Sequence, residues 1–587
     1  MPQLPHSLHS ALTVYRLSTG SYYDASGVMR WSQRNPNRVT HSRLIADGAW
    51  VNNNTTKSTI ASPLAPDGSP TATKIVKPAN SSSADVNQNI TGLTAGIYTA
   101  SLHVRPGAFK YVRVRLDNFT SGGSVDAFLD LNSGKMTVTT AGSGLTLLAS
   151  GVDTQSYSDG WMRPYFTVNG ANTSISIKVY LVDSANSIAV LGDAVKEVYL
   201  WGMELSPGSL APHNEVTVLY EPRFDHDPVT LAPLGMLLES QRINFVAASE
   251  DMTNGSYYTP VGATVTAAAA LAPDGVIGMT LLKENTSTGL HYLQGATTVP
   301  TGTLAGRYMI YSVFVKPAGR TIFTLSLASI DSGSADFNLS TLTTSNLAGG
   351  SGGNAPTYAG IKHVGNGIYR CWFVMLWGAA DTIATFYPQF LLHNGTSNTY
   401  TGDGASGVYL WGTMVEESEQ YATVASPTSY IRTINARVTR EQDEAVLEQP
   451  LHGTLGTTST WVVEFTAPLV SAYRTLLSMN NGGGSIFLEN ANKGSVGVVF
   501  TGDGVTANTI VPGQLNKLAA SRDGTGQSVC LNGGAVAAGT NSIGGNTVTI
   551  TVMGRSYGGG YPLNGWISKI TYYPTRLTSA QMQAATT

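Results

Sequence analysis

Several features that define other classes of protein are scarce in this chain of 587 residues. Cysteine occurs only at Cys371 and Cys530, which the pattern below places in different modules, so a disulfide framework is excluded. Charged residues make up only 12% of the chain, and the net charge of −3 includes no basic arm or acidic tail. Binding through nucleic-acid phosphates or anionic lipid headgroups is therefore not indicated.

Long apolar segments are also missing. No stretch approaches the roughly 20 apolar residues that span a bilayer. The first residues, MPQLPHSLHSALTVYRL, lack the basic region and the apolar core of a secretion signal. We therefore expect a soluble protein without such a signal. The Asn-x-Thr triplets at Asn54 and Asn89 are expected by chance in a chain rich in Asn and Thr.

The residues that are abundant favour strands and turns. Glycine occurs 64 times, and Ser, Thr and Asn are frequent throughout, whereas strong helix formers are depleted. Single cores stop growing near roughly 250 to 300 residues, so a chain of this length divides into domains. The composition predicts an almost entirely β protein with three or four domains.

The pentapeptide VYLWG occurs twice, at 198–202 and 408–412, and marks an internal duplication. Other features recur in the same order, at offsets between 207 and 211. The matched segments are APDG at 65–68 and 272–275, AGIY at 95–98 and AGRY at 305–308, LHVRP at 102–106 and VFVKP at 313–317, and DGWMRPYF at 159–166 and NGIYRCWF at 366–373.

Each copy consists of short alternating segments separated by Gly-containing turns, which is typical of a β-sandwich. In VYLWG the residues of both parities are apolar. This predicts a strand buried between the core of its own sandwich and a second covering layer. We interpret Trp201 and Trp411 as core residues, with ligand stacking as the alternative.

The ordered motifs resemble a family: the jelly-roll, carbohydrate-binding-module-like repeats of bacteriophage tail-fibre, tail and head-spike proteins. In the second copy the resemblance rests on Asn244, Ser249-Glu250-Asp251, residues 272–275, 312–317, 367–372 and 410–416. The first copy departs from the pattern, with His41-Ser42-Arg43-Leu44 in place of the Ser-Glu motif. The resemblance implies a virion structural protein with tandem jelly-roll modules.

Two segments outside the repeat, at 18–28 and 222–244, also resemble phage structural proteins, in which they lie close together. We interpret the first module as inserted between them, or duplicated there. Within the second segment, Asp225-His226-Asp227 suggests a metal site, but alternate strand residues point to opposite faces, so a turn before Pro228 is favoured. The charged segment 421–444 is expected to form a solvated junction.

From about residue 459 the strands are longer, and LNGWISKI at 563–570 with VCLNGG at 529–534 resembles the concanavalin A-like, laminin-G-type sandwich. The fold prediction is thus all-β: tandem jelly-roll β-sandwich modules followed by a concanavalin A-like β-sandwich. The predicted divisions are a leader at 1–38, the first module at 39–210, a linker at 211–242, the second module at 243–435, a linker at 436–455 and the C-terminal domain at 456–587.

No catalytic motif, cofactor motif or metal-spaced cluster is present, so we predict no enzyme activity, no cofactor, no metal and no catalytic residues. Two candidate ligand-binding residues are Tyr557 and Tyr561 in the glycine-rich loop SYGGGYP, where exposed rings would stack on a sugar. The alternative is that both rings fold back onto Trp566. Asp503, in a TGDG that recurs at 401–404, is a candidate ion ligand or simply a turn residue.

The leading hypothesis is a phage tail-fibre, spike or head-fibre subunit at the virion surface, made in the bacterial cytoplasm and displaying its modules toward host-surface glycans. One alternative is a capsid-decoration or tail-tip protein that binds only virion proteins, and a weaker one is a carbohydrate-active enzyme. The expected partners are other virion proteins through the N-terminal segment and host polysaccharide, without nucleic acid or membrane insertion. The resemblance favours a homotrimer. Removing residues 1–30 is expected to leave a folded protein.

Overall fold

The structure is a computed structural model, and strands dominate it. It describes residues 12–16, 18–32, 37–79, 83–91, 93, 95–119, 122–142, 145–153, 158–170, 174–189, 191–210, 220, 222–298, 306–328, 332–349, 355–377, 385–418, 425–448, 458–467, 474–479, 484–488, 495–499, 505–523, 526–539, 550–556 and 560–587. Within these ranges the only α-helix is Ser579–Thr586, capped by Thr578, and Ser158–Gly160 forms a short 3₁₀ turn. The prediction of an almost entirely β chain is confirmed.

The chain forms two compact units. Unit 1 contains Met1–Tyr15, Arg34–Glu221 and Glu448–Gly453, and unit 2 contains Arg16–Gln33, Pro222–Leu447 and Thr454–Thr587. The chain therefore leaves unit 2 after residue 33 and returns to it at residue 222.

Unit 1 holds the first jelly-roll module, built from two antiparallel six-stranded sheets. From edge to edge, one sheet contains Lys135–Ala141, Gly123–Asp130, Tyr111–Phe119, Ser174–Leu181, Asp85–Thr91 and Val51–Asn53, and the other contains Leu145–Val152, Pro164–Gly170, Gly96–Pro106, Glu197–Pro207, Ala72–Val76 and Thr56–Ile60. Leu12–Tyr15 is also a strand. The core between the sheets takes alternate residues from both, such as Val112, Val114, Leu200 and Leu205.

Unit 2 holds the second module, with the same sheet order. One sheet contains Thr343–Gly349, Gly333–Asn338, Ile322–Ala328, Thr385–His393, Tyr292–Gly295 and Tyr258–Val261, with Thr297–Thr298 paired beside Thr385–His393, and the other contains Tyr358–His363, Tyr369–Leu376, Tyr308–Ala318, Gly407–Glu417, Ile277–Glu284 and Ala263–Leu271. Two-stranded sheets join Ser21–Tyr23 to Met29–Trp31, Arg242–Asn244 to Val438–Arg440, and Thr288–Leu290 to Thr399–Thr401.

The C-terminal sandwich, also in unit 2, incorporates strands from segments that the sequence analysis treated as linkers. One sheet contains Phe224–His226, Pro233–Leu238, Gly565–Tyr573, Ser459–Thr466, Leu515–Asp523, Gly526–Leu531 and Ala537–Gly539, and the other includes Glu444–Glu448, Ile550–Met553, Arg474–Met479, Gly484–Leu488, Ser495–Val499 and Val505–Thr509. Leu237 lies opposite Trp566 in the register. Parts of both expected linkers are therefore sheet strands.

The repeated pentapeptide has the same conformation in both modules. Gly202 and Gly412 have φ values of 61° and 63°, and the pairing register shifts beside each of them. Glycine accepts this left-handed conformation without a steric penalty, which explains its place in the motif. Trp201 and Trp411 are 2% and 1% exposed, so the interpretation of both as core residues is confirmed.

An asparagine side chain completes each of these bulges. In the second module, Asn244 Nδ2 donates to Thr413 O at 3.2 Å, and its Oδ1 accepts from Val415 N at 3.2 Å. In the first module, Asn37 Nδ2 donates to Met203 O at 3.2 Å, and its Oδ1 accepts from Leu205 N at 3.1 Å. The sequence analysis found Asn244 but missed Asn37, which lies before the predicted start of the first module at residue 39.

Residues 16–33 of the predicted leader belong to unit 2, whereas Met1–Tyr15 belongs to unit 1. Met29 is 2% exposed and packs in the same cluster as Phe314, Trp411 and Tyr430, which lie outside the sandwich core. Tyr23 N donates to Asp225 Oδ1 at 2.6 Å. The predicted proximity of segments 18–28 and 222–244 is confirmed by this bond and by the bond from Arg223 Nη1 to Ser21 O, at 3.0 Å.

Candidate functional site

Only one of the two predicted tyrosines lies in the described part of the chain. Tyr561 is 57% exposed and has a φ of 55°, and its backbone oxygen accepts a hydrogen bond from Thr475 N at 2.9 Å. Tyr557 lies outside the described residues, as does Asp503. Tyr561 is thus exposed, while sugar stacking by the two rings, and the alternative that both fold back onto Trp566, stay predictions.

The tripeptide Asp225-His226-Asp227 contacts its surroundings in two directions. Asp225 Oδ2 accepts from Trp566 Nε1 at 2.8 Å, while His226 Nδ1 lies 3.3 Å from Tyr23 O. Asp227 Oδ1 accepts from Thr230 N at 2.8 Å and so begins the predicted turn. Across the described residues, no group of three or more His, Cys, Asp or Glu side chains is arranged to hold a metal ion.

The TGDG at 401–404 is a turn. Asp403 Oδ1 accepts from Ala405 N and Ser406 N, each at 2.7 Å. Its backbone N–H donates to Glu284 Oε1 at 2.8 Å, and Glu284 also pairs with Arg320 at 2.5 Å. The carboxylates of Asp403 and Glu284 thus have hydrogen-bond or ion-pair partners within the protein. The interpretation as a turn holds for this copy of the motif.

Five buried charged side chains meet where the second module joins the C-terminal sandwich. Arg223 contributes one nitrogen to Glu239 at 2.8 Å and the other to Asp443, while Arg16 pairs with the second oxygen of Asp443 at 2.5 Å. Arg440 pairs with Glu239. The arginine side chains are fully buried, and the carboxylates are 2% and 6% exposed. The prediction that segment 421–444 forms a solvated junction is therefore wrong at residues 440 and 443.

The network depends on ionised carboxylates. Burial opposes ionisation of Glu239, but Arg440, Arg223 and hydrogen bonds from Ser429 outweigh it and lower the pKa of Glu239 from 4.5 to about 2. Asp443 behaves alike: burial opposes its ionisation, and Arg223 and Arg16 lower its pKa. Because the folded-state pKa is depressed, this stabilisation is present above the unfolded pKa and is lost as pH falls through the folded pKa.

We expect Glu239→Gln to destabilise unit 2 at pH 7 by about 3 kcal/mol, since each pKa unit corresponds to about 1.4 kcal/mol. The deficit relative to the unmodified protein should shrink as pH falls from 4.5 towards about 2, the range over which Glu239 becomes protonated. Urea unfolding of both proteins across this pH range measures the difference between their free energies of unfolding. The contributions of other carboxylates cancel in this difference, because both proteins contain them. A deficit that is independent of pH would contradict the assignment.

The outer face of the first module is the exposed side of the sheet that contains Tyr111–Phe119, and it carries three cations. Arg113 and Arg115 alternate on this strand and so point outward together. Arg115 Nη1 lies 3.5 Å from Asp126 Oδ2, and Lys178 Nζ donates to Asp117 Oδ2 at 2.9 Å. The face therefore carries a set of partly exposed, paired charges.

The outer face of the second module, on the sheet containing Ile322–Ala328, carries amides and hydroxyls instead. Thr324 Oγ1 donates to Asp336 Oδ1 at 2.5 Å, and Asn346 Nδ2 donates to the other Asp336 oxygen at 2.6 Å. Gln389 Nε2 donates to Gln294 Oε1 at 2.6 Å. Among these side chains only Asp336 carries a formal charge, whereas the outer face of the first module carries several charges.

The two outer faces correspond position by position. Counting from Pro106 and Pro317, Arg113 corresponds to Thr324 and Arg115 to Ser326; the register then places Lys178 at the position of Gln389. All three cations are thus replaced by neutral polar side chains. The duplicated scaffold kept its core and its bulges, while the outer faces diverged.

The comparisons with known proteins concern the C-terminal domain and the general fold. Residues 443–583 match the family model of the concanavalin A-like lectin/glucanases superfamily. The match includes Glu444–Glu448, which the sequence analysis had assigned to a linker. The prediction of a concanavalin A-like C-terminal domain is confirmed. No curated protein matches the chain.

Several solved structures resemble parts of the chain. The CBM22-1–CBM22-2 tandem domain of Xyn10C from Paenibacillus barcinonensis is 10% identical, with a TM-score of 0.23, over 66% of this chain and 100% of that one. The CBM40 of the Ruminococcus gnavus IT-sialidase, solved with α2,3-sialyllactose, is 20% identical, with a TM-score of 0.20, over 22% and 84%. Domains LG4-5 of the mouse laminin alpha1 chain are 11% identical, with a TM-score of 0.19, over 50% and 88%. Likenesses this weak carry no argument about ligands.

Proposed function

We propose that the protein is a phage virion surface protein, a tail-fibre, spike or head-fibre subunit, whose β-sandwich modules attach the particle to host-surface glycans. The observation that carries this proposal is the divergence of the outer faces on a retained scaffold. Side chains such as Arg115 and Lys178 in one module, and Gln294 and Gln389 in the other, are planar or flexible hydrogen-bonding groups on the outer side of a sheet. Such surfaces suit polyhydroxylated ligands of different charge.

The motif order at 244–435 supports the virion role, through its resemblance to phage fibre and spike repeats. The structure describes no helix long and apolar enough to cross a membrane. Glycan binding by each copy is weak in this proposal, and several copies multiply it, with a homotrimer as the proposed assembly. We propose binding without cleavage, so the protein is not an enzyme.

The direct test is a glycan array probed with the full chain, with a second assay for released reducing sugar. We expect retention of bacterial surface glycans and no release of sugar. Antibodies against the protein should label the surface of intact phage particles in electron micrographs. An array without any bound glycan would contradict glycan attachment, and released sugar would favour the enzyme alternative.

The rim loop is tested by replacing Tyr557 and Tyr561 together by alanine. If this loop contacts the host, adsorption of particles should fall, while the Tm stays within a few degrees, as expected for exposed positions. Unchanged adsorption would leave the outer faces as the contact surfaces. Surface labelling without glycan binding would favour the decoration alternative.

A further inference from the structure

The second module contains a pocket beside Gly278. The pocket has a volume of ≈ 310 Å³ and lies beside the edge strand Ala263–Leu271. Its wall includes Glu250, Asp251, Ala267, Ala268, Gly278 and Arg432. Pockets for small ligands begin at about 300 Å³, so this one has room for a single sugar ring.

The two copies can be superposed residue by residue along the strand that contains Gly278. Thr73 lies opposite Leu200, and Thr280 lies opposite Leu410, within the repeated pentapeptides. Two residues earlier, the first module has Thr71 and the second has Gly278. The pocket therefore opens where a threonine side chain is replaced by a hydrogen atom.

This replacement leaves an indole N–H without a partner. Trp201 Nε1 donates to Thr71 Oγ1 at 2.9 Å. In the second module, a Cβ on Gly278 would lie 3.6 Å from Trp411 Nε1, and no residue in the described ranges accepts a hydrogen bond from that nitrogen. The Trp411 residue as a whole is 1% exposed. A ligand hydroxyl placed in the space over Gly278 would accept a hydrogen bond from that nitrogen.

Around Thr71, polar side chains fill the equivalent space of the first module. Arg43 Nη2 lies 2.8 Å from Asp67 Oδ2 and 3.4 Å from Ser69 Oγ, and Ser69 Oγ lies 2.5 Å from Thr71 Oγ1. With Trp201 at its end, this chain of hydrogen bonds closes the site from within the protein.

The second module keeps the equivalents of Asp67 and Trp201, which are Asp274 and Trp411, but has replaced Arg43, Ser69 and Thr71. Ser42 O and Ser249 O accept from the equivalent strand residues Met203 N and Thr413 N, which places Glu250 at the position of Arg43. Val276, which is 61% exposed, takes the place of Ser69. The Glu250 side chain reaches Arg432 Nη2 at 3.0 Å and remains 17% exposed in the pocket wall.

A bulge in the edge strand widens the pocket. In the first module, Ser58, Thr59 and Ile60 pair in unbroken register with Lys74, Thr73 and Ala72. In the second, Thr266 pairs with Leu281 and Ala270 with Met279, so residues 267–269 face Thr280 alone. Ala268 has a φ of 49°, which a non-glycine residue adopts at a steric cost. The extra residues carry only methyl groups and leave the space open.

We propose that this pocket binds one neutral pyranose unit of a glycan, an inference that rests on the proposed glycan-binding function. A sugar hydroxyl takes the place of Thr71 Oγ1 and accepts from Trp411 Nε1. Glu250 accepts hydrogen bonds from further hydroxyls, and the alanine methyl groups pack on the ring. The wall carries Glu250 and Asp251 against Arg432, so its excess negative charge disfavours acidic sugars.

Gly278→Thr in the full chain tests the proposal by rebuilding the side chain found in the first module. The ideal Cβ meets only ordinary contacts of 3.6 Å or more, and Gly278 lacks a positive φ, so the variant should fold. The probes are the methyl glycosides of glucose, galactose, mannose and N-acetylglucosamine. Saturation-transfer NMR detects their binding. We expect Gly278→Thr to weaken binding by at least about tenfold, since the hydroxyl site and part of the ring space are filled.

The matched control is Thr71→Gly, which changes the equivalent position of the first module and should leave pyranoside binding unchanged. Glu250→Gln keeps the volume of the pocket and should also weaken binding, which provides a second variant. Binding that is unaffected by Gly278→Thr and Glu250→Gln would overturn the pocket while leaving glycan attachment intact. If the full chain binds neither the pyranosides nor any glycan on the array, both proposals fail.

Discussion

Replacing Arg223 by alanine should lower the free energy of unfolding of unit 2 by about 3 to 5 kcal/mol, the usual cost of removing one partner from a buried ion pair. Arg223 is fully buried, and it joins Glu239 to Asp443 while also donating to Ser21 O at 3.0 Å. Without it, two buried carboxylates lose their shared cation. Urea unfolding followed by hydrogen exchange in the strand Gly407–Glu417 measures the loss.

The matched control is Arg307→Ala, the same substitution in the same unit. Arg307 pairs with Glu417 at 2.5 Å, but the two side chains are 51% and 40% exposed. Exposed ion pairs contribute about 0 to 1 kcal/mol, so this variant should behave almost like the unmodified protein. Equal effects of the two substitutions would mean that the buried network does not hold unit 2 together. Strands of unit 1 provide an internal reference in each experiment.

The repeat could be predicted from sequence because its signal is local and ordered. The alternating apolar residues of VYLWG are buried on two faces of the strand, and its glycine adopts the positive φ of the bulge. Both properties can be read from the pentapeptide alone. The proximity of the segments 18–28 and 222–244 also followed from their resemblance to phage structural proteins. Neither inference required knowing a distant contact in advance.

The charge network could not be predicted in the same way. Arg440 and Asp443 lie in a polar run that looks solvated, and their partners Arg223 and Glu239 lie about two hundred residues earlier in the chain. Short segments such as Phe224–His226 give no strand signal until a sheet edge is available to pair with. Sequence periodicity indicates which face of a strand is apolar. It does not indicate which sheet a short segment will join as an edge strand.

The candidate ligand sites show the same division. Tyr561 was selected because a glycine-rich loop exposes its ring, and it is exposed. Gly278 was not selected, although the signal was present: the duplicated copy has threonine at the equivalent position, and Arg43 stands where Glu250 does. Aligning the two copies and asking which buried hydrogen bonds each loses would have found the pocket.

Removing residues 34–221 and joining residue 33 to residue 222 through a short Gly-Ser linker should leave unit 2 folded. Gly20 N donates to Ser32 Oγ at 3.1 Å, and a Cβ on Gly20 would lie 3.1 Å from Arg223 Cδ. Ser32 and Arg223, which lie next to the two cut ends, therefore both lie close to Gly20. A short linker should join the ends at little entropic cost. The excised chain should keep the hydrogen-exchange protection of unit 2.

The contrasting variant removes only residues 1–30, a deletion that the sequence alone predicted to leave a folded protein that no longer incorporates into virions. It deletes Arg16, whose guanidinium pairs with Asp443, and Met29, which packs in the layer over Trp411. Exposing that layer and leaving a buried carboxylate short of a cation should cost several kcal/mol, so unit 2 should lose protection or become insoluble. The smaller deletion is thus expected to do more damage than the larger one. A truncated chain with normal protection, or an excised chain that fails to fold, would show that the N-terminal segment and unit 2 are not one folding unit.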